Sequence, residues 1–286
     1  MNHLMRILFC AILGMAFCVI PANAQSYQEF IRGAIGALEK DSLAEAEILF
    51  KKALEKDPIS ASNAIVHQYL GQIQEREGKM EEALESYQAG LNISPGMKGI
   101  LLNRASLHLR RGNEEKALAD YDLILEKDHD ETEALFFRAY ILTRLHRNKE
   151  ARKDYEHLIT LEPSNLNAQI GLVLLNDKDG RPREAMDKIN TLVQLYPDEA
   201  QLYVVRGEME RKRLQYELAQ HDFDQAIQLD PHNPEYYIAR GTYYMATKKK
   251  KMARADFQLA IQYGANAEEI AAIWNGQLSE RDRDPH

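Results

Sequence analysis

The amino-acid sequence predicts an all-α solenoid of seven helix-turn-helix units closed by a C-terminal capping helix. Three observations carry this. An alanine recurs as Ala46, Ala83, Ala117, Ala151, Ala185, Ala219 and Ala253, spaced by 37 residues once and then by 34 residues five times. Four residues after each stands a large side chain, Phe50, Tyr87, Tyr121, Tyr155, Ile189, Phe223 or Phe257. Prolines Pro58, Pro95, Pro163, Pro197 and Pro231 close five of the units. A fixed period of this length marks units that bury their apolar faces by stacking on one another, so the chain needs no central core.

With the alanine at position 20, the units span 27–60, 64–97, 98–131, 132–165, 166–199, 200–233 and 234–266. Position 8 is small in six of them (Ala34, Gly71, Ala105, Ala139, Gly207, Gly241) and is Val173 in the fifth. Two antiparallel helices approach closely where position 8 on the first faces position 20 on the second with little side chain between them. The large residue at position 24 is then expected to fill the space toward the neighbouring unit. Proline at position 32 stops the second helix, because it has no amide hydrogen and restricts the residue before it. His129 and Ala265 stand at that position in units three and seven.

These columns, from Tyr27 to Asn266, resemble the tetratricopeptide repeat. The resemblance implies a right-handed superhelix whose first helices line a concave side. It also implies a non-enzymatic scaffold in which positions 2, 5, 9, 12 and 13 meet peptide ligands. Position 5 is Ile31, Gln68, Leu102, Phe136, Ile170, Val204 and Ile238, and position 9 adds Tyr140 and Leu174. Position 13 supplies Arg76, Arg110, Arg144, Lys178 and Lys212. The centre of this row, Leu102, Phe136, Tyr140, Ile170 and Leu174 with Arg110 and Arg144, is the expected partner-binding surface, suited to a peptide with apolar anchors and acidic neighbours. The competing reading is that position 5 packs within its own unit and that the position 13 cations complement a helix C-terminus.

The flanking segments follow. Residues 1–24 hold one positive charge, Arg6, then fourteen apolar or small residues from Ile7 to Ile20, and end Pro21-Ala22-Asn23-Ala24. This reads as a secretory signal peptide cleaved before Gln25, with an uncleaved anchor as the alternative. The expected location is the bacterial periplasm or the medium beyond it. Both cysteines, Cys10 and Cys18, fall in that leader, so the mature chain has no disulfide or thiolate chemistry. After the seventh unit, Asn266 with Glu269 forms a capping-box signature, and Ile270, Ile273 and Trp274 share a face, predicting a capping helix over 267–278. Residues 279–286 form a charged tail expected to be disordered.

A second pattern runs through the units. Four carry Arg at position 7 (Arg104, Arg138, Arg206, Arg240), and the same four carry Asp at position 23 (Asp120, Asp154, Asp222, Asp256). The other three have neither. This co-occurrence predicts an ion pair bridging the two helices of each such unit.

Composition and motifs narrow the chemistry. A net charge of −8 disfavours nucleic acid, whose binding depends on a basic field. The nine histidines include no i, i+4 pair flanking an acid, and no Gly-rich phosphate loop or Ser nucleophile elbow is present, so no metal, cofactor or catalytic residue is expected. Glu208, Arg211 and Lys212 are the nearest candidates for an unrecognised groove site. Lys248 to Lys251 form a charge run that reads as wet surface, with contact to an anionic lipid or cell-wall polymer as the alternative. The sequence leaves self-association through unit edges open.

Overall fold

A computed structural model describes residues 22–276, and the expected leader through Pro21 and the tail from Gln277 lie outside them. Among the described residues every regular element is helical. In chain order these are α1 (Ala22–Glu39), α2 (Leu43–Lys56), α3 (Asn63–Arg76), α4 (Met80–Ile93), α5 (Lys98–Arg110), α6 (Glu114–Lys127), α7 (Thr132–Arg144) and α8 (Asn148–Leu161). They continue with α9 (Leu166–Lys178), α10 (Pro182–Leu195), α11 (Ala200–Lys212), α12 (Tyr216–Leu229), α13 (Pro234–Ala246), α14 (Lys250–Gln262) and α15 (Ala267–Trp274). Each odd-numbered helix from α1 to α13 packs on the even one that follows, giving seven repeats. The chain divides into two compact bodies, one ending at Ile124 and the other beginning at Leu125.

Each repeat turns on one backbone device. The amide of position 16 donates to the carbonyl of position 11 in every repeat: Ser42 to Ala37, Lys79 to Gln74, Asn113 to His108, Arg147 to Leu142, Arg181 to Asn176, Gln215 to Glu210 and Lys249 to Tyr244, at 2.7–2.9 Å. This six-to-one bond defines a Schellman C-cap, which requires a left-handed residue just before the donor. That residue is position 15, a glycine in Gly78, Gly112 and Gly180 but a side-chain-bearing residue in Asp41, His146, Leu214 and Lys248, all with φ between 59° and 78°. At the other end of the second helix, the residues before proline, Asp57, Ser94, Glu162, Tyr196 and Asp230, leave helical geometry with φ from −129° to −140°.

The position 8 column is explained by the ring at position 24 of the same repeat. A Cβ added to Gly71 would stand 2.3 Å from the Tyr87 ring, and one added to Gly241 would stand 2.6 Å from Phe257. At Gly207 the Phe223 ring is 3.0 Å away and the Ala219 carbonyl 3.3 Å away. The aromatic therefore lies over its own unit's first helix and, as expected, also fills space toward the next repeat, where Phe50 stacks on Tyr69 with centroids 5.3 Å apart and Phe223 meets Tyr243 at 5.8 Å. Tyr155 also reaches the next repeat, 2.5 Å from where a Cβ on Gly171 would be. Repeat five sets a larger residue on the first helix against a smaller one on the second: Val173 and Ile189 are both fully buried in one cluster.

The 37-residue first spacing adds Ala61-Ser62-Asn63. Asn63 is buried, donates to the Asp57 carbonyl at 2.7 Å and accepts from the Tyr27 hydroxyl at 3.0 Å, so the insertion is tied to repeat one. At the far end the Asn266 side chain accepts from the Glu268 amide at 2.8 Å and starts α15. Ile270 and Ile273 join the core of repeats six and seven, and Trp274 meets Phe257 edge-on with ring centroids 6.1 Å apart. The capping helix thus covers the last repeat.

Gly241→Val is expected to destabilise the protein by about 2 kcal/mol through overpacking against Phe257. Adding Phe257→Ile, which copies the Val173 and Ile189 arrangement, should restore most of that loss in urea unfolding.

Candidate functional site

The four arginines of position 7 are built into the stack. Each places a two-pronged guanidinium on the position 23 carboxylate of its own repeat, with N–O distances of 2.5–2.9 Å for Arg104 and Asp120, Arg138 and Asp154, Arg206 and Asp222, and Arg240 and Asp256. The aspartates are 2–6% exposed. Hydrogen bonds to Asp222 and Asp256 hold the Arg206 and Arg240 guanidiniums above their ordinary pKa. The third nitrogen reaches back to position 25 of the preceding repeat: Arg104 to Gln88 at 2.7 Å, Arg206 to Asn190 at 3.1 Å and Arg240 to Asp224 at 2.7 Å. That inter-repeat bond went unseen in the sequence. Its signal was present, since every repeat with Arg at position 7 follows one with Gln, Asn or Asp at position 25.

Where neither Arg nor Asp occurs, other contacts replace the pair. A Cβ on Gly33 would sit 3.2 Å from Leu49, so repeat one uses an apolar contact. In repeat two, Ser86 hydrogen-bonds Gln74 at 2.7 Å.

The first helices of successive repeats touch directly, α3 with α5 in the N-terminal body and α7 with α9, α9 with α11 and α11 with α13 in the C-terminal body. They form the inner layer of each stack and carry the expected partner-binding row. In the N-terminal body Leu102 is half-buried, and Arg110 is engaged by Glu75 of the preceding repeat, which also accepts from the Tyr87 hydroxyl. Arg76 likewise pairs with Asp41. These two arginines act as inter-repeat ties.

In the C-terminal body the row divides. Ile170 is 5% exposed and sits in the core of repeats five and six, which removes it from ligand contact. Phe136 packs edge-on against Phe137 at 5.3 Å and Tyr155 at 6.2 Å, as the within-unit reading expects. Tyr140 and Leu174, at position 9 of adjacent helices, remain partly exposed. The Arg144 guanidinium lies 5.8 Å from the Tyr140 ring centroid and its Nη1 donates to the hydroxyl at 3.3 Å. Lys178 and Lys212 are exposed. Glu208 and Arg211 form an i, i+3 pair at 2.8 Å.

Comparison with known proteins fits this architecture. Two family models described as "Tetratricopeptide repeat" match the chain, one over residues 31–98 and 204–268 and the other over 132–165, together more than half of its length. The chain belongs to the tetratricopeptide-repeat family. A tetratricopeptide-repeat protein from Parabacteroides merdae is similar in structure, with TM-score 0.82, 29% identity and coverage of 89% of this chain and all of that one. The hetero-tetramer Cut9–Hcn1 of the APC/C gives TM-score 0.56 at 13% identity, over 91% of this chain and 57% of that chain. A single-site mutant of MamA gives TM-score 0.50 at 15% identity, over 59% of this chain and 96% of that chain. At that identity the last two share the fold alone. No curated protein matches the chain. Proteins built from tetratricopeptide repeats are typically interaction scaffolds.

One buried acid of these repeats has no structural partner for both of its oxygens. Glu210 in α11 is 7% exposed, and its Oε2 accepts no hydrogen bond among the described residues. Burial, reinforced by the Asp222 charge, pushes its pKa up to about 7.

Asp222→Ala is expected to cost about 3 kcal/mol in denaturant unfolding, because it strands the Arg206 charge. Replacing both Arg206 and Asp222 by leucine should cost less, because no unpaired charge remains. The raised pKa of Glu210 gives stability that is fully present below about pH 4.5 and lost as pH rises toward 7. Glu210→Gln, which mimics the protonated acid, should therefore raise the melting temperature at pH 8 and change it little at pH 4.5.

Proposed function

We propose that this protein is an exported, non-enzymatic scaffold that binds an extended or helical segment of a partner protein along its first-helix layer. The observation that carries this is the pair Tyr140 and Leu174, two apolar side chains left partly exposed at the same position of touching helices. Aromatic anchors at such a place dominate binding when a partner excludes water around them. Arg144 beside Tyr140, with Lys178 and Lys212 further along the layer, favours a segment whose apolar anchors are flanked by acids. Leu102 extends the same position pattern on α5. Export rests on the leader-like residues 1–24, which put the partner in the cell envelope or outside it.

Photo-crosslinking in cells separates this reading from its rival. A cross-linker at Tyr140 on the inner layer should capture a partner that one at Glu156, exposed on a second helix, does not. Capture from Glu156 alone, or from neither position, would mean that Tyr140 and Leu174 only pack the solenoid.

A further inference from the structure

The intra-repeat turns of the C-terminal body form a rim of one charge. Positions 13–19 of repeats four to seven (144–150, 178–184, 212–218, 246–252) hold twelve Lys or Arg against four Asp or Glu. The loops at the opposite helix ends (127–133, 161–167, 195–201, 229–235, 263–269) hold eleven acids and one base, Lys127. Hydrogen-bonded rungs set successive turns side by side. Asn148 and Arg152 reach Asp179 at 2.6 and 2.8 Å, Arg213 reaches Asp177 at 2.6 Å, and Lys249 reaches Gln220 at 3.2 Å.

These rungs use two arginines, one asparagine and a single lysine, Lys249. Lys149, Lys178, Arg183, Lys212, Lys248, Lys250 and Lys251 are exposed and have no partner among the described residues. Three leucine or methionine side chains stand among them, Leu214 at 69%, Leu218 at 54% and Met252 at 44% exposed.

Two local rules are broken on this rim. Lys149, Arg183, Lys250 and Lys251 occupy the first turns of α8, α10 and α14, where the helix dipole favours acids; α14 has no acid there, and α8 and α10 have one each, Glu150 and Glu184. In repeats two and three the corresponding turns carry Glu81, Glu82, Glu114 and Glu115. Leu214 holds φ +61° at the position that three other repeats give to glycine, a conformation disfavoured for a bulky side chain, while exposing that side chain to solvent. Departures from local preference that bring no compensating internal contact mark a surface selected for an external one.

We propose that this rim docks peripherally on an anionic lipid bilayer, with its lysines in the headgroup layer and Leu214, Leu218 and Met252 at the apolar boundary. The composition of the unpaired set selects this occupant. Six of the seven cations are lysines, hydrated point charges on flexible stems that suit a diffuse anionic plane, while the fork-shaped arginines that would read a defined carboxylate are mostly held internally. The apolar side chains stand exposed on an edge beside those lysines, the combination that binds interfaces. No described helix is long and apolar enough to cross a membrane. Its apolar contacts, Leu214, Leu218 and Met252, are distinct from Tyr140 and Leu174 of the inner layer, and Lys178 and Lys212 stand at the border of the two surfaces.

The test uses the full chain with vesicles of phosphatidylcholine alone and of phosphatidylcholine with about 30% phosphatidylglycerol. The apolar leader contributes to both, so the readout is the ratio of the two affinities. The protein should bind the anionic vesicles at least about tenfold more tightly at low salt, and that preference should vanish at about 0.5 M salt. Arg183→Glu/Lys250→Glu/Lys251→Glu should remove the preference without lowering the melting temperature, because the new acids suit the helix N-termini. Leu214→Gly relaxes the left-handed turn, so it should fold at least as stably yet bind anionic vesicles severalfold more weakly. Tyr140→Ala should leave the ratio unchanged, which separates failure of this site from failure of the inner layer. Equal binding to both vesicles, or a preference that survives the triple variant, would overturn the proposal. So would a wild-type chain that ignores lipid but self-associates in sedimentation through a contact the triple variant loses, which would mean that the basic rim docks on the acidic loops of a second copy.

Discussion

The structure depends on a helix backbone lying directly under a large ring. Gly71 beneath Tyr87, Gly207 beneath Phe223 and Gly241 beneath Phe257 leave no room for a side chain between the two helices of a repeat. Once that distance is set, the alanine at position 20 must be small, the Schellman turn must join the helices in three residues, and the position 7 and position 23 side chains must face one another. Repeat five meets the same constraint with Val173 against Ile189, a smaller side chain on the second helix making room for a larger one on the first.

Much of this is legible in the sequence because periodicity converts weak local signals into columns. Seven alanines in phase locate fourteen helices, and the joint presence of Arg and Asp in four repeats locates a contact between them. The reach of the position 24 ring toward the next repeat is legible, but its place over position 8 of its own repeat is not, since a column gives spacing and leaves open which further neighbour a side chain meets. The third hydrogen bond of Arg104, Arg206 and Arg240 is hidden for the same reason: it joins positions in different repeats, and only the three-dimensional stacking shows that position 25 lies within reach.

The surface row is less legible than the core. Sequence alone treats Leu102, Phe136, Ile170, Tyr140 and Leu174 as equivalent members of one stripe. The structure withdraws Ile170 into the core and packs Phe136 edge-on against Phe137 and Tyr155, while Leu102, Tyr140 and Leu174 stay partly exposed. Charge behaves similarly. Arg76 and Arg110 look available until their acidic partners in the preceding repeat come into view, whereas Lys178 and Lys212 remain unpaired.

The arginine that clasps both its own aspartate and the repeat before it also governs how the stack comes apart. In a linear array, cooperativity is set joint by joint, by the strength of each nearest-neighbour interface. Arg206 and Arg240 fasten repeats five, six and seven in succession, and Arg104 fastens three to two. Leu172 and Leu70 stand where such a clasp would fasten five to four and two to one. Those two joints rely instead on ion pairs at the turns, Arg76 with Asp41 and Arg152 with Asp179, whose carboxylates are more open to water than the buried aspartates of the clasp and so are more readily screened by salt.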